Sequence, residues 1–200
     1  MKYDRNKHHR RSIRLKGYDY SQPGAYFVTI CTYERQCLFG KIVNGQMRLN
    51  GFGEIVAEQW QKSAVIRQEI KLDAWVVMPK HVHGIVVITN PVGANGGSPL
   101  RNNLPQHNRL SPCDRSIRHN HEPLRMKPKS LSSSIAGFKS TVTKQINILR
   151  DAPGTPVWQR NYYEHIIRDR SALNKIRQYV INNPLAWQTD QLHLDNTTKW

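Results

Sequence analysis

Two stretches of this chain hold residue types that can do chemistry together. His81-Val82-His83 places two imidazoles two residues apart. In extended backbone alternate residues share a face, so both rings point one way while Val82 points into the opposite layer. Two neutral imidazoles side by side form half of a divalent-metal site; without further ligands they are two histidines at a strand end. The second stretch is Tyr179-Val-Ile-Asn-Asn183, where Tyr179 and Asn183 are i and i+4, one turn apart on the same side of a helix. Asn183 could contribute a side-chain oxygen as a third metal ligand and Tyr179 a phenolic nucleophile. The competing reading makes Tyr179 a half-buried packing residue and Asn183 a cap before Pro184.

Other reactive residues are less well organised. Tyr162 and Tyr163 are rival nucleophiles, but four residues on from them stand Ile166 and Ile167, not amides. His165 is either near the site or a structural histidine. Cys31, Cys37 and Cys113 are too few and scattered for a disulfide framework, and no Cys-x-x-Cys pair suggests a zinc ribbon. Gly93-Ala-Asn-Gly-Gly97 has no helical pattern after it and does not qualify as a phosphate loop. The acidic residues offer no pair suited to a carboxylate nuclease.

The elements that must position these residues follow from pattern. Residues 25–33 are β-branched and aromatic, hence a strand, and Asn44-Gly45 predicts a hairpin between 41–43 and 46–49. Val56, Trp60 and Ala64 line one face of a helix over about 53–68. Strands at 73–78 and 83–89 are joined by Pro79-Lys80-His81-Val82. Residues 91–130 hold six of the 11 prolines and read as a long flexible insertion. A helix starts near Ser130 with the stripe Leu131, Ile135, Phe138, Val142, Ile146 and Leu149, and Pro153-Gly154 stops it. Val157-Trp158 and 162–167 are extended. Ser171 caps a last helix whose Leu173, Ile176 and Val180 share a face, and Pro184 ends it. The sum is an α+β sandwich, one antiparallel sheet covered by helices.

Charge narrows the partners. The 200 residues carry 30 Lys and Arg against 14 Asp and Glu, a net +16 with pI near 10.1. Residues 1–20 and 91–130 each hold seven basic and two acidic side chains, as expected of basic arms that reach along phosphates. Lys139 and Lys144 read as solvated charges and Trp158 as a packing anchor. Apolar runs such as residues 74–78 fall far short of the roughly 20 residues a bilayer span needs. The first residues are basic with no apolar run behind them, unlike a secretory signal. A reducing cytoplasm is the expected compartment.

The ensemble of motifs resembles the single-tyrosine HUH transposases, most closely the REP-associated tyrosine transposases. The matching pieces are Tyr26-Phe-Val-Thr29, Asp73-Ala-Trp-Val-Val-Met-Pro-Lys-His-Val-His83, Val157-Trp-Gln-Arg-Asn-Tyr-Tyr-Glu-His-Ile-Ile-Arg-Asp169 and Tyr179-Val-Ile-Asn-Asn-Pro184, in family order over about residues 24–187. The resemblance implies a ferredoxin-like antiparallel sheet carrying the histidines and a C-terminal helix laid beside it. It implies Tyr179 as catalytic nucleophile and His81, His83 and Asn183 as ligands of Mg²⁺ or Mn²⁺. It also implies single-stranded or hairpin DNA as substrate, cut and rejoined through a 5′-phosphotyrosine by a monomer or homodimer beside the nucleoid. The expected organisation is a basic arm over 1–20, the catalytic domain over 21–187 and a polar tail over 188–200. Arg5, Lys7, Arg10, Arg11, Arg14 and Lys16 of the arm are the expected DNA-binding residues; Arg101, Arg109, Arg115, Arg118, Arg125, Lys127 and Lys129 could act likewise. The alternative is a non-catalytic single-stranded nucleic-acid binder on the same fold.

Overall fold

A computed structural model describes Leu15, residues 17–89 and residues 127–189. The elements are β1 (Gly24–Cys31), a hairpin of β2 (Gly40–Val43) and β3 (Gln46–Leu49), α1 (Gly51–Ile66), β4 (Ile70–Met78), β5 (His81–Ile88), α2 (Leu131–Leu149), β6 (Tyr163–Ile167) and α3 (Arg170–Asn182). A short 3-10 turn, Trp187–Thr189, follows. The main sheet runs β4-β5-β1-β6 with every neighbouring pair antiparallel. With α1 and α2 as the crossovers, this is the ferredoxin-like βαββαβ arrangement. The β2–β3 hairpin forms its own small sheet.

Helices cover both faces, which explains why the central strands read as apolar runs rather than alternating ones. Tyr26, Val28 and Ile30 of β1 and Val82, Val86 and Ile88 of β5 bury against Val56 and Trp60 of α1 and Leu131, Ile135, Phe138, Val142 and Ile146 of the predicted α2 stripe. The last member of that stripe, Leu149, is exposed because it closes the helix. Phe27 and Ile85 point the other way and meet Val180, Leu173 and Ile176 of α3. Gly84 allows the close fit on the first face: a Cβ there would lie 2.4 Å from Cζ2 of Trp60. The strand carrying both histidines therefore rests directly on an indole ring.

Several boundaries differ from the sequence reading, each for a local reason. β5 begins at His81, so only Pro79 and Lys80 turn the chain between β4 and β5. α3 is capped by Asp169, not Ser171: the Asp169 carboxylate accepts the Ala172 N–H at 2.8 Å, which puts Ser171 inside the first turn. β4 starts earlier, at Ile70, and holds a bulge between Leu72 and Trp75. Ser130 caps α2 through a reciprocal box with Ser133, and Lys127 just before it pairs with Asp19 at 2.6 Å, so residues 127–130 belong to the fold. Residues 188 and 189 lie in the closing 3-10 turn. The arm residues Arg5, Lys7, Arg10, Arg11, Arg14 and Lys16 lie outside the described residues, as do 90–126 of the insertion and 190–200 of the tail. No described helix is long and apolar enough to cross a membrane.

Candidate active site

The site grows from one row across the sheet. Val76 on β4, His83 on β5, Thr29 on β1 and Tyr163 on β6 are directly opposite one another in register, so their side chains share the face toward α3. His81 stands two residues earlier on β5, on the same face, paired with Met78 and Cys31. The two imidazole centroids are 4.3 Å apart.

Each ring is held differently. His83 is buried, with Nδ1 2.8 Å from Thr29 Oγ1 and Phe27 stacked on it at 5.4 Å. The tautomer that donates Nδ1–H to Thr29 leaves Nε2 as an unprotonated acceptor. Nε2 faces the Tyr179 hydroxyl at 3.3 Å. His81 has no exposed surface, and neither of its ring nitrogens makes a hydrogen bond of ordinary geometry. Burial, helped by the positive charge of Lys80, pushes its pKa down to about 3, while the Asn183 side chain acts in the opposite direction as a hydrogen-bond partner. Burial therefore favours the neutral form of the His81 imidazole. Trp187 walls this end of the site, 5.9 Å from His81, with the Lys80 ammonium 5.7 Å over its ring.

α3 brings the other two residues. Tyr179 is 47% exposed, its ring 5.2 Å from His83 and edge-on to Phe27 at 6.0 Å. Asn183 is buried and caps the helix with backbone still in the helical region, which preserves the one-turn offset from Tyr179. The helix is pinned by buried Val180 and by a bidentate pair: Arg177 Nε and Nη2 donate to Asp73 at 2.9 and 2.6 Å. Arg177 holds the Asp73 carboxyl below the usual range against a smaller opposing effect of burial. Asp73 lies within the β4 bulge, the irregularity that separates Leu72 from Trp75 in the register.

The residues fit a divalent cation by their donor set. Two imidazoles and a carboxamide converge in a buried space, with the Asn183 side chain at the sealed His81 ring. Thr29 orients His83 from behind, as a supporting hydrogen bond does for a ligating imidazole. Among the described residues no three His, Cys, Asp or Glu side chains cluster as a metal cage.

Tyr162 and Tyr163 part company. Tyr162 packs against the α1/α2 core, whereas Tyr163 is 44% exposed on the site face. His165 pairs with Phe27 in register and is exposed on that face. Lys139 is not a solvated charge: its Nζ donates to the Gln159 and Arg160 carbonyls, and burial lowers its pKa to about 8. Trp158 is the packing anchor expected, against Phe39 and Phe138. Sequence reasoning gave no role to Thr29, Phe27, Asp73, Arg177 or Trp187. Alternation along β1 already placed Phe27 and Thr29 on one face, but nothing local linked that face to β5.

No family model matches the chain. It is 38% identical over 194 residues to an uncharacterized protein of Haemophilus influenzae, covering 97% of this chain and 98% of that protein. Among solved structures, a REP-associated tyrosine transposase bound to a REP hairpin superposes with a TM-score of 0.53 at 18% identity, over 87% of this chain and 73% of that one. This chain therefore belongs to one family with the Haemophilus influenzae protein, and its fold is that of a REP-associated tyrosine transposase.

Proposed function

We propose that the chain is a transposase-type enzyme that cuts and rejoins single-stranded hairpin DNA through a 5′-phosphotyrosine on Tyr179. The observation that carries this reading is the Tyr179 hydroxyl 3.3 Å from His83 Nε2, with His81 and Asn183 buried alongside, all from one chain. A phenol is a weak nucleophile until deprotonated, at pKa near 10 when unperturbed. The His83 Nε2 lone pair can serve this hydroxyl or a cation but not both, so with a cation bound the phenolic proton would leave to solvent from the half-exposed hydroxyl. The Tyr179 oxygen then bonds to phosphorus, the bond from phosphorus to the 3′ oxygen breaks, and that oxygen takes up a proton as a free 3′-OH. Reversal by a 3′-OH releases Tyr179, so cutting and joining need no nucleotide cofactor.

A divalent cation held by His81, His83 and Asn183, Mg²⁺ or Mn²⁺ and by ligand preference Mn²⁺, would polarise the scissile phosphate and offset its charge. The Tyr179 hydroxyl meets the same imidazole that would hold the cation, so attack and charge neutralisation fall at one place. Arg5, Lys7, Arg10, Arg11, Arg14 and Lys16 are proposed to follow the phosphates of the hairpin. The REP hairpin of the solved transposase makes repetitive palindromic hairpins the first substrates to try.

The test mixes the protein with hairpin oligonucleotides carrying unpaired flanks, in Mn²⁺, Mg²⁺ or EDTA, and maps any DNA-linked peptide by mass spectrometry. A metal-dependent adduct on Tyr179, absent in Tyr179→Phe, is expected. Removing that half-exposed hydroxyl should leave the fold intact. An adduct on Tyr163 would move the nucleophile to the sheet edge, and binding with no adduct would turn the reading to a non-catalytic binder.

A further inference from the structure

The half of the site face that α3 leaves open carries its own chemistry. α3 lies chiefly over β4 and β5, while β6 is the edge of the sheet beyond β1. Register puts Tyr163 beside Thr29 and His165 beside Phe27, so both β6 rings rise on the face that bears the histidines. Tyr163 is 44% exposed although it is a large aromatic residue. It meets Phe27 edge-on at 6.3 Å, as Tyr179 does from the other side at 6.0 Å. Phe27 is thus a buried spacer between two half-exposed tyrosines, one against His83 and one at the sheet edge. Two strand spacings separate Tyr163 from His83 along the row, about 10 Å.

We propose that Tyr163, with His165 beside it, is the stacking platform for an unpaired base flanking the phosphate held at Tyr179. This rests on the single-stranded DNA reading above and adds a positioning residue to it. The platform is a rigid aromatic on a strand, needs little side-chain ordering on binding, and accepts any base because every base has a π face. It also gives physical content to a preference for unpaired DNA, since a base within a duplex already stacks on its neighbours and cannot lie on Tyr163.

The experiment uses the full chain and a DNA hairpin with an unpaired tail of about ten nucleotides, carrying 2-aminopurine at one tail position at a time. Fluorescence reports stacking, titration reports affinity, and the Tyr179 adduct reports cleavage. Wild type should quench the probe at one or two adjacent positions. Tyr163→Val, which keeps strand propensity, should lose that quench and weaken binding by roughly tenfold, while Tyr163→Phe and Tyr163→Trp restore both. Circular dichroism and melting of Tyr163→Val matched to wild type tie the loss to the ring rather than to folding. Equal quench and affinity in Tyr163→Val, with a Tyr179 adduct still formed, overturn the platform and leave the enzyme reading standing. A quench that needs Tyr163, in a protein that forms no adduct, upholds the platform and sinks the cleavage reading instead. A wild type that neither binds nor quenches the tail overturns both.

Discussion

Gly84→Ala tests the packing that supports the histidine strand. The new Cβ would lie 2.4 Å from Cζ2, 3.1 Å from Cε2 and 3.2 Å from Cη2 of Trp60, where ordinary carbon contacts are about 3.5–4.0 Å. Trp60 cannot easily retreat, because it is buried and Phe138 stands edge-on against it at 5.0 Å. Overpacking of this kind costs about 1–3 kcal/mol, which for a domain of this size lowers Tm by about 3–10 °C. Gly84 is the residue after His83, so the strain enters at the strand that positions both imidazoles. The assay is thermal melting followed by circular dichroism on wild type, Gly84→Ala, Trp60→Phe and the double variant. Shrinking the indole makes room for the methyl, so the double variant should be more stable than the sum of the single effects by about 1 kcal/mol or more. A Gly84→Ala melt within about 1 °C of wild type, or strict additivity in the cycle, would refute the close strand-on-indole contact.

Three further predictions concern the helix and the arm. Asp169→Ala removes the α3 cap and should cost about 1 kcal/mol in urea denaturation, with Asp169→Asn retaining most of it; an unchanged midpoint for the Ala variant would mean the cap carries no stability. The Asp73 carboxyl is held below its usual range in the folded chain, so the unfolded chain binds the extra proton as pH falls through about 4. Its stabilisation is therefore full above that pH and is lost as pH drops through the folded value. Wild type should exceed Asp73→Asn in stability at pH 7, the gap closing in acid; a gap constant from pH 7 to pH 3 would contradict the Arg177 pairing as its source. Deleting residues 1–16 should weaken hairpin binding and flatten its dependence on salt, whereas identical affinity and slope would remove the arm from DNA recognition.

Local pattern carried much of this protein. Alternation put His81 and His83 on one face, the i, i+4 rule put Tyr179 beside Asn183, and Asn44-Gly45 made the hairpin. The α2 stripe ran as read from Leu131 to Ile146, with Leu149 exposed at the helix end. These features depend on the period of a single element, which sequence states directly. The helix start at Asp169 and the Leu72/Trp75 bulge were hidden because competing cap residues and an extra strand residue leave the period almost unchanged. Which elements meet is a different matter, since contacts distant in sequence depend on shape. Only the packed structure set α3 on the face opposite α1 and α2, carried Tyr179 to His83 across 96 residues, and tied Arg177 to Asp73 across 104. It also sealed His81 behind Trp187 and left Tyr163 half open at the sheet edge while Tyr162 turned into the core. The residues fit for chemistry were legible in the chain; burial and long-range packing, which no period encodes, decided which of them face one another.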